Sequence, residues 1–409
     1  MYLKSTLDRI INGRRPFFSL VIPTRDRPEF IEFGLSILME QTFADFEVIV
    51  SDNFVEKPCL DVVKKFDDPR IKYVKPEQPL QMAQHWEFAC SHSRGKYVSV
   101  LIDKTFLHPE ALAILHETLS VKEYDLVSWG NEIYAPIDES VSYSRGYYSP
   151  QYQAVGPYPF SPHGELYRRL NCELDLWAEG TDYSRGKICF GAFSSRLISR
   201  IKKAQKCLFH SVCPDYTATA SALALADNAV DMGQPLMVSF LTSISNGMNY
   251  YNSPSYALNF LNQVDPSGNV LDELPVKGLY TSTHNLITGD YLRVKRSLGD
   301  ELCPFSLNYE NLVDRIITDL AVVGFESDEQ LEAQLELLLD ARPELDKAEL
   351  LERIKEQKSK KPLTADRDEQ EMKDLYDRFF MKFDTPLEMS KKMAEHYRAI
   401  LSPPDQPTV

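Results

Sequence analysis

Residues 18–53, FSLVIPTRDRPEFIEFGLSILMEQTFADFEVIVSDN, constrain the fold more than any other part of the chain. The apolar run over 17–22 suits a buried parallel strand. A helix should follow. Asp26 is placed to cap it, Glu29 to complete a capping box, and Pro28 to sit in the first turn. Ile31, Leu35 and Leu38 then share one helix face. A second strand over 46–51 ends in Ser-Asp-Asn. This order puts Pro23, Thr24, Arg25 and Asp52 at the carboxyl ends of two neighbouring parallel strands, the edge where open α/β sheets bind ligands.

The same alternation continues. Strands are expected over 71–74, 97–102 and 125–129, with helices over 60–66, 81–91 and 109–119. Short connections between them predict an α/β fold, a mostly parallel sheet with helices on both faces. The pattern weakens over 135–185, a stretch rich in Tyr, Pro, Ser and Gly, and such long loops are usually functional. Regular structure returns over 188–194, 197–204, 216–227 and 235–243. Residues 253–290 carry several turn signals.

From about residue 308 the chain becomes acidic and helical. Ser327 and Gln330 form a capping box before Leu331, Leu335 and Leu338, which fall at helical spacing. Leu350, Leu351 and Ile354 follow a break at Pro343, and 355–367 reads as an exposed polar linker. Thr385 and Glu388 frame a last helix carrying Met389, Met393 and Tyr397. The expected division is therefore 1–250, in two parts (17–130 and 131–250), a connecting segment 251–307, and a helical region 308–409. The leucine stripes are too apolar for water, so these helices should pack on the first domain or on a second copy, giving a homo-oligomer.

The net charge of −15 argues against nonspecific binding to nucleic acid or anionic lipid. No apolar run approaches the ~18 residues needed to cross a bilayer, and the amino terminus lacks a signal-peptide core. A cytoplasmic protein is expected, with any membrane contact peripheral. The seven cysteines are scattered and fit no zinc or redox motif, so reduced thiols are expected. No histidine pair has metal-ligand spacing. Walker, Gly-x-Gly-x-x-Gly and Gly-x-Ser-x-Gly motifs are absent from the sequence.

Three spaced blocks resemble family 2 glycosyltransferases. The first is the 18–53 stretch, in which Pro23-Thr24-Arg25 resembles the family's first donor contact and Asp52 its base-binding aspartate. The second is 80–112, with Trp86-Glu87 on a helix, Gly95 before a strand, an acidic position after it, and Pro109-Glu110-Ala111-Leu112 opening the next helix. The third is Cys213-Pro214-Asp215-Tyr216, followed by Pro235-Leu236 and 243–247 (SISNG). The resemblance covers about 17–247. It implies a GT-A fold, a nucleotide-diphosphate sugar as donor, most often a UDP-sugar, and inverting transfer to a saccharide or lipid-linked acceptor hydroxyl in polysaccharide or glycoconjugate synthesis. It also implies Asp215 as the base that takes the acceptor proton, although an aspartate before a helix also serves as an N-cap. Glu173, Asp175, Glu179 and Asp182 are the alternative bases. The aromatic stretch 143–167 would face the acceptor. Trp86 reads as core, and His108 as a capping or surface residue close to the diphosphate.

The second block departs from the family. Where members carry two or three aspartates for a divalent cation, this chain reads Ile102-Asp103-Lys104-Thr105. Three arrangements fit. Asp103 holds Mg²⁺ or Mn²⁺ weakly, with phosphates completing the shell. Lys104 stabilises the diphosphate without metal. Or the protein has lost catalysis and acts as a GT-A-like nucleotide-sugar- or glycan-binding or scaffold protein. Asp103 and Lys104 are donor-site candidates in the first two.

Overall fold

The computed structural model describes residues 15–135, 147–148, 150, 153–174, 184–210, 212–240, 249–250, 253–359 and 381–402. Asp175, Glu179, Asp182, the 243–247 motif and most of the aromatic stretch before residue 153 lie outside these.

The amino-terminal half alternates as expected. It runs β1 (Phe18–Thr24), α1 (Pro28–Leu38), β2 (Phe46–Asp52), α2 (Leu60–Lys64), β3 (Ile71–Val74), α3 (Met82–Ser91), β4 (Tyr97–Val100), β5 (Thr105–Leu107), α4 (Ala111–Val121) and β6 (Leu126–Ala135). Then come β7 (Tyr147–Tyr148), β8 (Tyr158–Phe160), α5 (Pro162–Leu170), a 3₁₀ turn (Ile188–Phe190), β9 (Gly191–Ser194), α6 (Ser195–Gln205), α7 (Pro214–Leu225) and β10 (Ala229–Phe240). The remainder is α8 (Pro254–Val264), α9 (Asn269–Glu273), α10 (Thr283–Leu298), α11 (Tyr309–Val322), α12 (Asp328–Ala341), α13 (Lys347–Ser359), β11 (Met381–Lys382) and α14 (Pro386–Leu401).

β1 pairs in parallel with β2 on one side and β4 on the other, and β2 with β3. This is the parallel half that the apolar runs predict. Beyond β4 the sheet becomes mixed. β9 lies antiparallel between β4 and β6, and β10 runs parallel to β6 and antiparallel to β5 and β8. Because β9 opposes both, β4 and β6 still point the same way and share a carboxyl edge.

Alternate residues of each strand feed opposite cores. Leu20, Ile22, Val48 and Val50 face a cluster with Leu35 and Leu38 of α1 and Leu112 and Leu115 of α4. Val21, Ile49, Val98 and Val100 face a second cluster with Trp86 of α3, Leu197 and Ile201 of α6, and Ile287 and Val294 of α10. Helices therefore cover both faces. The segment read as a connector, 251–307, contributes α10 to this second core.

The register of the central strands is tied at their amino-terminal end. Ser19 Oγ donates to Glu47 Oε1 at 2.6 Å and accepts from the Gly95 amide at 2.7 Å. Gly95 is required there, since a Cβ would meet the Ser19 nitrogen at 2.5 Å.

Two caps differ from the sequence reading. Asp26 does not cap α1. Its N-cap is Arg27, and no side chain caps it. Asp26 has φ of 57° and its Oδ1 instead accepts from the amides of Val55, Glu56 and Lys57 at 2.8–2.9 Å. Three converging donors hold the 55–57 turn more firmly than one cap bond would hold a helix already started by Pro28. Ser327 likewise makes no side-chain cap, while Gln330 accepts from the Glu326 amide. Thr385 does cap α14, through the Glu388 amide at 3.2 Å. The expected linker from 355 is still α13 as far as Ser359.

The tail helices pack within the chain. Leu331, Leu335 and Leu338 are covered by Leu312 and Ile316 of α11 and Leu350 and Ile354 of α13. α14 returns to the main sheet, where Met389, Met393 and Tyr397 join the α1–α4 core and the Tyr397 hydroxyl donates to buried Glu132. Met393→Ala should therefore cost about 2–5 kcal/mol, as for other fully buried large-to-small changes. Chemical denaturation checks this, and an unchanged midpoint would detach α14 from the core.

Candidate donor and acceptor site

The parallel ladder brings the first two sequence candidates side by side. In the β1–β2 register Thr24 stands opposite Asp52, and Pro23 opposite Ser51. β4 lies on the other side of β1, so the chain leaving it carries Asp103 to the same edge. Thr24 Oγ1 donates to Asp103 Oδ2 at 3.3 Å. Pro23, Thr24, Asp52 and Asp103 thus share one carboxyl edge.

Asp52 is buried, with one oxygen used and one not. Its Oδ2 accepts from the Cys59 amide at 2.8 Å and the Tyr73 hydroxyl at 3.0 Å. Its Oδ1 is buried without a hydrogen-bond partner. An orphaned carboxylate oxygen costs free energy unless a ligand donates to it. Burial, then Asp52 itself, pushes the Tyr73 phenol above its ordinary range. Tyr73 therefore stays a donor and fixes the carboxylate's orientation.

Arg25 is exposed, and part of its guanidinium is committed to the backbone. Nε donates to the Asn53 carbonyl and a terminal nitrogen to the Leu80 carbonyl, both at 3.2 Å. Asn53 reinforces this clamp with two further bonds to Leu80. The result is a braced loop beside Asp52.

Asp103 is buried and paired with a residue that sequence reasoning missed. The Arg27 guanidinium lies 3.1 Å from its Oδ1 and 3.5 Å from its Oδ2. Burial raises the Asp103 carboxyl above its usual range, opposed by Arg27, Thr24 and Lys104. Burial also lowers the half-buried Lys104 ammonium. Thr105, at the position of the family's last aspartate, donates its hydroxyl back to the Ile102 carbonyl at 3.1 Å. Among the described residues no three His, Cys, Asp or Glu side chains converge as a metal site. Asp103 offers one carboxylate, already bridged by a guanidinium, so a Mg²⁺ or Mn²⁺ ion there would compete with Arg27 and take its other ligands from phosphates and water.

Asp215 lies in the first turn of α7, whose N-cap is Cys213, so it is not the N-cap. Its Oδ2 lies 3.6 Å from Nζ of Lys187, which is 2% exposed and sits 3.9 Å from the Tyr216 ring centroid. Burial lowers the Lys187 ammonium and Asp215 opposes that shift. Lys187 immediately precedes the 3₁₀ turn, and Ser99 of β4 donates to the Ile188 carbonyl at 3.3 Å. The pair is thereby carried to the carboxyl side of β4.

Other candidates move inward. Trp86 is core, edge-on to Phe209. His108 is buried rather than on the surface, with Nδ1 accepting from the Glu110 amide at 3.2 Å. Of the aromatic stretch, Tyr148 is fully buried and Tyr158 accepts from Arg185 at 2.6 Å. Tyr158 is half-buried, and Tyr167, at the end of the stretch, is exposed. All seven cysteines are free thiols. No helix among the described residues is long and apolar enough to cross a membrane.

A mixed sheet covered on both faces, with a carboxylate edge at β1, β2 and β4, is the GT-A-type architecture that the sequence predicts. Residues 19–160, about a third of the chain, match the family described as glycosyl transferase family 2. It is 31% identical over 91 residues to an uncharacterized glycosyltransferase of Methanocaldococcus jannaschii, covering 21% of this chain and 31% of that one. It is 45% identical over 65 residues to validoxylamine A glucosyltransferase of Streptomyces hygroscopicus subsp. jinggangensis, 15% of each chain. These matches span less than a third of either curated relative. Among solved structures, S. aureus TarS 1–349 in complex with UDP-GlcNAc aligns over 84% of this chain and 90% of that one, at 14% identity and a TM-score of 0.44.

Two buried imidazoles set an acid response of the fold: His85, beside Ser51 of β2, and His108, beside Gln41 at the other end of the strands. Burial first, then Arg25, lowers His85 to about 4; burial, then Arg398, lowers His108 to about 3. Unfolded histidines titrate near ~6.5. Below that the unfolded chain binds more protons, so stability is lost as pH falls from about 6.5 toward 4. His85→Gln should flatten the slope of melting temperature against pH in that window. An unaltered slope would mean His85 protonates in the fold.

Proposed function

We propose that this protein transfers a sugar from a nucleotide-diphosphate sugar, with UDP the expected nucleotide, to an acceptor hydroxyl with inversion. The observation that carries the reading is the buried, unpartnered Oδ1 of Asp52. It sits at the ladder position opposite Thr24, aimed by Tyr73 and the Cys59 amide, and accepts a hydrogen bond from the donor base or ribose. Pro23 and Thr24 pack on the nucleotide, and the Arg25 clamp keeps the loop in place. The acceptor is a saccharide or lipid-linked hydroxyl, in polysaccharide or glycoconjugate synthesis.

In the transfer step the acceptor oxygen forms a bond to the anomeric carbon. The bond from that carbon to the diphosphate oxygen breaks, and its electron pair leaves with the diphosphate. The acceptor proton passes to Asp215 Oδ1 or Oδ2. Lys187 keeps this carboxylate oriented from a buried position.

The test for the donor role is Asp52→Asn, which keeps the shape and can still accept from Tyr73 or the Cys59 amide. It should weaken UDP binding about tenfold or more, since hydrogen bonds to a charged group contribute about 1.5–3 kcal/mol. Calorimetry that finds equal affinity would remove Asp52 from the site.

Asp215→Asn should lower transfer at least about 10²-fold while donor affinity holds. Donor affinity, not melting temperature, is the control, because the change leaves buried Lys187 without its counter-charge. Near-normal transfer would return the base to the other carboxylates, of which Glu173 is a described residue.

A further inference from the structure

We propose that the amino-terminal edge of the sheet, opposite the donor edge, carries a second binding site, for a phosphate group. Arg15, Ser195, Arg196, Ser199, Arg200 and Lys203 line a depression of about 510 Å³ there. The inference stands apart from the donor reading and uses none of its residues.

Two segments build the site. Ser194 closes β9 opposite Tyr97, the first residue of β4, so α6 begins at the amino end of the parallel strands. Arg15 reaches the same place from just before β1. Its Nε donates to the Arg94 carbonyl at 2.6 Å and a terminal nitrogen to the Gly95 carbonyl at 3.0 Å. Asp52 lies at the far end of β2, which has seven residues. That strand spans about 20 Å at ~3.3 Å per residue, so an anion held at the amino edge leaves the donor edge open.

The charge at this edge is ordered but not balanced. Asp125 is fully buried, and its Oδ1 accepts from Arg196 at 2.8 and 3.1 Å and its Oδ2 from Arg200 at 2.9 Å. Arg196 nevertheless keeps 58% of its side chain exposed. Asp227 and Glu123 also act on Arg196, but each is paired, with Arg200 and with Lys96. Arg15 is bound by carbonyls, which fix its guanidinium without neutralising it. Lys203 is exposed and makes no ion pair or hydrogen bond among the described residues. The local excess of positive charge runs against the net charge of −15 on the whole chain, and it is complementary to an anion.

The chemistry selects phosphate. Three guanidinium groups converge, and their planar forks match phosphate oxygens. Leu197 and Ile201 are buried in the second core, and α6 exposes no large apolar side chain. It therefore lacks the apolar face with which a helix enters a bilayer. A single depression meets one phosphate group, not the long row of phosphates on nucleic acid. A lipid headgroup and a soluble phosphoester share this chemistry.

The experiment is calorimetry of the full chain with inorganic phosphate, with saturating UDP present to fill the donor edge. Phosphate should still bind. Lys203→Glu and Arg15→Gln should each weaken it about tenfold or more and leave UDP affinity unchanged. Co-sedimentation with vesicles of equal parts phosphatidylglycerol and phosphatidylcholine identifies the source. Vesicle binding that phosphate displaces and Lys203→Glu abolishes makes the ligand a lipid headgroup. Phosphate binding without vesicle binding makes it a soluble phosphoester. Phosphate affinity unchanged in both variants overturns the proposal, as does the absence of both phosphate and vesicle binding. Self-association that Lys203→Glu abolishes, in a chain that binds no phosphate, also overturns it, because the patch then meets an acidic face of a second copy. Lys203 has no contact to lose on substitution, so its variant tests the site and not the fold. A chain that binds phosphate but not UDP counts against the donor reading alone.

Discussion

Glu47, buried in the middle of β2's first turn of ladder, holds the arrangement on which the rest depends. Its Oε1 accepts from Ser19 Oγ of β1 at 2.6 Å and from the Arg94 amide before β4 at 2.8 Å, and its Oε2 meets the Arg94 guanidinium at 3.0 Å. One carboxylate therefore ties three strands at a fixed register. A slip of one residue would exchange the two faces of a strand, sending Ile49 and Val50 to the wrong cores. It would also part Thr24 from Asp52 at the far end. The functional edge is aligned by a polar knot on the opposite edge of the sheet.

The carboxyl edge repeats one device twice. Arg27 with Asp103, and Lys187 with Asp215, each set a cation against a carboxylate in a partly or fully buried setting. Such pairs seldom add net stability, because desolvation offsets their attraction. Their value here is positional. The Lys187 side chain has little room to move, and a carboxylate held by it keeps its orientation when substrate is absent.

Much of the parallel half was legible because its signals are local and long. The runs at Leu20–Ile22 and Val48–Val50 and the spacing of Ile31, Leu35 and Leu38 leave few alternatives. The mixed half was harder to read for physical reasons. β5 and β9 have only three and four residues, too short to carry a period. β9 depends on Gly191, where a Cβ would meet the Val127 carbonyl at 2.3 Å, a constraint visible only once the neighbour is known. Asp52, Asp103 and Asp215 could be picked out because each stands in a block with a recognisable frame. Arg27 could not, because in the sequence it looks like one more charge beside a helix start. Its partner lies 76 residues away. The nearest signal was the loss of the family's aspartates, which left a charge to be balanced by something.

The contact between Tyr397 of α14 and Glu132 of β6 spans 265 residues. During synthesis the sheet leaves the ribosome with one face of its first core uncovered, and that gap lasts on the order of tens of seconds at ordinary elongation rates. The nascent chain must carry the apolar surface of α1 and β10, the elements that α14 packs against, until that helix is made. Closing so distant a contact is slow. The final fold is thus reached after translation of residue 397, and the sheet is completed by a helix remote from its carboxyl edge.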